Sequence, residues 1–134
     1  DATKLEFEDQ SFDYVVSFFL PHELPFDKKI KHIEEAKRVL KPGGRLAISD
    51  VVASCELPDE VRNDLALYSG CIAGALQIEE LETIIIDAGF TNISITPKDE
   101  SKEFIKDWAP GKGVEEFVIS AHIEAIKPVT KSCC

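Results

Sequence analysis

A charged helical pattern ending at Leu40 meets Lys41-Pro42-Gly43-Gly44, and an apolar run from Arg45 to Val52 follows at once. Pro42 has no N–H with which to continue a helix, and Gly43 and Gly44 supply the positive φ of a tight reversal. The apolar run shows little alternation, as expected of a strand in a parallel sheet covered by helices on both faces. The stretch therefore reads as the second half of a βαβ crossover. On spacing alone it is an ordinary helix-turn-strand corner of any α/β protein.

The flanking segments extend the pattern. Upstream, Tyr14 to Leu20 is an aromatic and β-branched run closed by Pro21, and reads as a buried strand. From Asp27, read as an N-cap, Ile30, Ile33, Ala36, Val39 and Leu40 recur at helical spacing. Downstream, Pro58-Asp59-Glu60 opens a helix whose apolar face is Val61, Leu65 and Tyr68. A third helix carries Ile78, Leu81, Ile84, Ile85 and Ala88 on one side and stops at Gly89. Phe90 to Thr96 and Glu116 to Ile126 read as strands, the last pair forming a hairpin-like end to a parallel sheet. Trp108, beside Pro110 and Gly111, reads as a packed loop anchor.

Composition excludes whole classes of partner. With 134 residues and 44% apolar content the chain is one domain's worth. Its net charge of −10 repels a nucleic-acid backbone or an anionic membrane, and no run approaches a membrane span. Neither is expected as a partner. No positively charged leader precedes an apolar segment, so the cytoplasm is the expected compartment. Four cysteines, Cys55, Cys71, Cys133 and Cys134, form neither a disulfide framework nor a CxxC metal pair. They are expected as free thiols, and no metal site is expected.

The order of the pieces carries more than any one of them. An entry DAxxLxFEDxSFDYVVS, a helix ending RVLKPGGRLAISDV, an AGF-capped helix and a closing strand resemble the back half of a class I S-adenosylmethionine-dependent methyltransferase. The resemblance implies an α/β fold: the C-terminal half of a Rossmann-like sheet, mostly parallel with an antiparallel last strand. SFDYVV would be its fourth strand and the stretch after KPGG its fifth, with the N-terminal strands absent. Residues 1–127 would form this partial domain and 128–134 a cysteine-containing tail. The glycine-rich loop that cradles S-adenosylmethionine in that family has no counterpart in the 134 residues, so the chain alone is expected to be inactive.

A narrower resemblance lies in DVVASCELPDEVRNDLALYSGCIAGAL, which is similar to the corresponding segment of the arsenite methyltransferases. The match to Arg62-Asn63-Asp64 and Gly74-Ala75-Leu76 implies that Cys71 helps to hold trivalent arsenic, with arsenite as substrate in an arsenic detoxification. Trivalent arsenic is soft and prefers thiolates, and one thiol binds it too weakly. Without the resemblance, Cys71 is a small residue packed between Gly70 and Gly74. Further thiols would come from Cys133 and Cys134, a vicinal pair on the tail, or from Cys55, which otherwise is a loop thiol just past the fifth strand. The further cysteine that the family carries before its last strand is missing, since Lys98 to Phe117 contains none.

His22 follows the fourth strand, at the carboxyl end where these enzymes contact the acceptor or the sulfonium region of the cofactor; on the residues alone it reads at least as well as a surface histidine. The resemblance also places Asp1 and Ala2 near the adenine of the cofactor and Ser17 beside it. Asp50 closes the fifth strand and reads either as facing the acceptor or, the preferred reading, as a cap on Val51 and Val52. The implied partners are arsenite and a dithiol reductant such as thioredoxin. Two alternatives remain: a methyltransferase for a small organic acceptor of the quinone-precursor type, and a non-catalytic module that self-associates through the exposed edge of the Tyr14 to Leu20 strand.

Overall fold

The computed structural model describes residues 1–18, 20–64 and 72–129. The element order begins β1 (Phe12–Phe18), a 3-10 turn (Pro21–Glu23), α1 (Phe26–Val39) and β2 (Leu40–Ala53). It continues with α2 (Asp59–Arg62), α3 (Ile78–Asp87) and β3 (Thr91–Lys98), then α4 (Lys102–Ile105) between two further 3-10 turns, and β4 (Val118–Ile126). The described strands form one sheet in the order β1-β2-β4-β3. β1 and β2 pair in parallel, and β4 runs antiparallel to both of its neighbours. Three strands therefore point one way and the last points back, which is the α/β architecture expected.

The KPGG stretch differs from its expected form. The chain turns at Leu40, whose backbone is already extended, and residues 41–44 belong to β2. Between the Phe12–Leu40 and Tyr14–Arg45 pairings β1 advances two residues while β2 advances five, so KPGG forms a wide bulge. Gly43 has φ +81°, and a Cβ on Gly44 would stand 2.8 Å from the Lys41 carbonyl oxygen. Both glycines are used, one for conformation and one for space. Lys127, just past β4, closes the corner by donating from its ammonium to the Lys37 and Leu40 carbonyls at 2.9 and 2.7 Å.

Helix ends show local chemistry that periodicity alone does not. Pro25, not Asp27, is the N-cap of α1, and Asp27 sits in its first turn, where a negative charge suits the helix dipole. Pro58 precedes α2 as expected; Leu65 and Tyr68 lie outside the described residues. α3 starts with a reciprocal capping box between Gln77 and Glu80. It ends in a Schellman arrangement, with Gly89 N–H on the Ile86 carbonyl, Phe90 N–H on that of Ile85, and Gly89 at φ +93°.

β2 sends alternate side chains to two cores. Leu46, Ile48 and Val52 join Ile33, Ala36, Leu81 and Ile85 beneath α1 and α3. Val51 and Ala53 join Ile72, Ile105, Val114 and Val118 on the opposite face, where Trp108 packs as the expected anchor. That second layer covers only the corner at the carboxyl end of β2. Over β1 the same face is open, with Tyr14, Val16 and Phe18 each more than half exposed. The connection between β3 and β4 holds helical turns and is no hairpin loop, although the two strands do pair antiparallel. Pro97 is tolerated within β3 because β3 is an edge strand.

Candidate active site

The carboxyl ends of β1 and β2 meet at the turn Pro21–Glu23. β2 outruns β1, since Phe18 pairs with Ser49, and Asp50 therefore projects just past the end of its neighbour. Its carboxylate accepts from the His22 backbone N–H at 2.9 Å and from the His22 ring Nδ1–H. Asp50 is thus no cap on Val51 and Val52: β2 continues to Ala53, and the carboxylate is taken by His22. Both side chains are almost fully buried.

Lys29, in the first turns of α1, completes this polar corner. It is buried on the stripe that carries Ile33, Ala36 and Leu40. Its ammonium donates to the Leu24 carbonyl at 2.6 Å and the His22 carbonyl at 3.4 Å. Burial pushes its pKa below the ordinary lysine value, and the nearby Asp50 charge opposes that shift. A cavity of about 350 Å³ opens beside it, lined by Lys29, Leu57, Arg62, Gly74, Gln77 and Glu80 among others. Its wall includes the residues that follow Cys71 in sequence, and Ile72, where description resumes, is fully buried.

A second polar group ties the segment before β1 to the end of that strand. His32 lies on α1 with one ring nitrogen 3.2 Å from the Ala2 carbonyl and the other 3.2 Å from the Ser17 hydroxyl. Ala2 and Ser17, two of the residues implied as cofactor contacts, are therefore joined through one side chain. Asp1, the third, is exposed, with its carboxylate on the Thr3 N–H and hydroxyl at 2.9 and 2.8 Å. Further along, Arg38 donates to the Leu5 and Phe7 carbonyls and to Asp9 and Glu35, while Glu35 accepts from the Leu5 N–H. The hydrogen bond from Arg38 chiefly holds the Glu35 carboxyl below its usual range.

Of the thiols, Cys55 is described and exposed, just past β2, with its sulfur 3.9 Å from the Glu116 carbonyl. Cys71, Cys133 and Cys134 lie outside the described residues. No cluster of three or more metal-ligating side chains occurs among the described residues. Lys29 and His32 escaped the sequence reading. The available signal was a lysine and a histidine on the core-facing side of an otherwise apolar helical stripe.

The fold is that of a methyltransferase-type α/β domain. Residues 1–89 match the family described as "Methyltransferase domain". The chain is 42% identical over 120 residues to the arsenite methyltransferase of Halobacterium salinarum, covering 90% of this chain and 30% of that protein. It is 40% identical over 83 residues to the human arsenite methyltransferase, covering 62% of this chain and 22% of that one. It belongs to the methyltransferase-domain family and spans about a third or less of the length of these relatives.

Solved structures agree on the fold. An arsenic(III) S-adenosylmethionine methyltransferase from Chlamydomonas reinhardtii superposes with a TM-score of 0.62 at 27% identity, covering 95% of this chain and 40% of that one. Phosphoethanolamine N-methyltransferase 2 of Haemonchus contortus, solved with S-adenosyl-L-methionine, gives 0.70 at 21% identity over 96% of this chain and 36% of that one.

Proposed function

We propose that this chain is the acceptor-side part of an S-adenosylmethionine-dependent arsenite methyltransferase, with Cys71 as an arsenic ligand. The observation that carries the reading is the sequence identity to the Halobacterium salinarum arsenite methyltransferase over nine-tenths of the chain. The cavity beside Lys29 supports it, because residues just after Cys71 form part of its wall at the carboxyl end of β2.

The chemistry follows from softness and alignment. Thiolates displace the hydroxides of arsenite and leave a lone pair on arsenic. That lone pair attacks the sulfonium methyl in line: the arsenic–carbon bond forms as the carbon–sulfur bond breaks, and S-adenosylhomocysteine leaves. Methylation formally oxidises the arsenic by two electrons, so a dithiol reductant of the thioredoxin class returns it to the trivalent state. Cys133, Cys134 and Cys55 are the further thiols this chain offers, in a cytoplasm that keeps them reduced. The 134 residues hold no glycine-rich donor loop, so by themselves they bind the methyl donor weakly.

The test is arsenite binding by calorimetry to the protein as its gene encodes it, before and after Cys71→Ser. Exchange of a soft ligand for a hydroxyl should weaken affinity roughly tenfold or more. Unchanged affinity would overturn the arsenic reading and favour a small organic acceptor.

A further inference from the structure

We infer that His32 is a positioning residue for methyl-donor binding, acting by fixing the segment that begins at Asp1 against the carboxyl end of β1. The inference rests on the methyltransferase reading above and adds to it a residue on α1 that no resemblance singled out. Three side chains on one face of α1, His32, Glu35 and Arg38, are spaced by three and hold the segment at successive points. His32 takes Ala2, Glu35 takes Leu5, and Arg38 takes Leu5, Phe7 and Asp9. His32 also reaches the sheet, through Ser17.

The hydrogen-bond roles follow from the partners. A carbonyl only accepts, so Nδ1 carries the proton and donates to Ala2. In the neutral ring Nε2 then accepts from the Ser17 hydroxyl. His32 and Ser17 are each 7% exposed and their hydrogen bond is buried, while the bond to the Ala2 carbonyl is part-buried. One side chain thereby sets the distance between the backbone at Ala2 and the end of β1. These are the two places where the cofactor contacts are expected. A bridge of this kind acts on donor affinity, because it preorganises the donor's side of the site and touches nothing of the acceptor cavity beside Lys29.

The experiment uses the protein as its gene encodes it, with S-adenosylmethionine and arsenite varied separately. His32→Ala should weaken S-adenosylmethionine binding in calorimetry, and raise its KM, about tenfold, the worth of a lost hydrogen-bond bridge. The KM for arsenite and kcat should stay within about twofold. His32→Gln, whose amide can donate to the Ala2 carbonyl, should recover most of the loss. Circular dichroism identifies any variant that fails to fold, and Ser17→Ala, which removes one end of the bridge, should then show a smaller effect in the same direction. Unchanged donor KM in His32→Ala, equal losses for donor and acceptor, or no rescue by His32→Gln would overturn the inference while leaving the methyltransferase reading intact. Absence of donor binding by the unsubstituted protein would overturn both.

Discussion

Asp50 holds His22 at two points, the backbone N–H at 2.9 Å and the ring Nδ1–H. One carboxylate therefore fixes both the path of the turn after β1 and the rotamer of its buried imidazole. Asp50→Ala leaves two buried donors without their acceptor, a loss of about 2–4 kcal/mol at roughly 1–2 kcal/mol each. Asp50→Asn keeps one carbonyl oxygen and should lose about half of that. Urea unfolding of the three proteins checks the order. Equal stability of Asp50→Ala and the parent would show that the pair is not what anchors the turn.

Lys29 predicts an alkaline signature. Its folded pKa lies below its unfolded value of 10.5 because burial disfavours the charge. Between those two values the unfolded chain holds a proton that the folded chain has released, so this contribution to stability rises with pH through that window. At lower pH both states are protonated and the contribution is flat. Lys29→Met lacks the titration. The stability of the parent relative to Lys29→Met should therefore climb as pH rises towards 10.5, as read by denaturant unfolding at several alkaline pH values. Parallel curves would mean that Lys29 titrates like a solvent lysine.

Much of this architecture was legible because the signals are local. Ile33, Ala36 and Val39 declare α1 by spacing, Gly89 declares the end of α3, and the apolar run after Gly44 declares β2. What escaped was decided by tertiary contact. The KPGG stretch has turn chemistry, yet pairing with β1 and the donors of Lys127 draw it into the strand as a bulge. Asp50 has the look of a terminal cap, and only the overhang of β2 past β1 delivers it to His22. His32 is invisible as a site residue until α1 packs, because its two partners lie 30 residues before it and 15 residues before it. The strands β3 and β4 are adjacent in sequence order, but nothing local announces that β4 inserts beside β2.

The open face of β1 makes the last prediction. Tyr14, Val16 and Phe18 alternate outward at 65%, 55% and 68% exposure, and β1 is an edge strand of the described sheet. An apolar edge of this kind is a template for another strand. Concentrating the 134-residue chain should therefore produce a species of twice the mass or more in sedimentation velocity, in a concentration-dependent equilibrium. Val16→Lys places a charge in the middle of that face and should shift the equilibrium to the monomer. It should change stability by no more than about 0.5 kcal/mol, since the side chain is exposed. A strictly monomeric parent at high concentration would remove self-association as a property of this edge. A dimer that Val16→Lys leaves intact would place the contact on another surface.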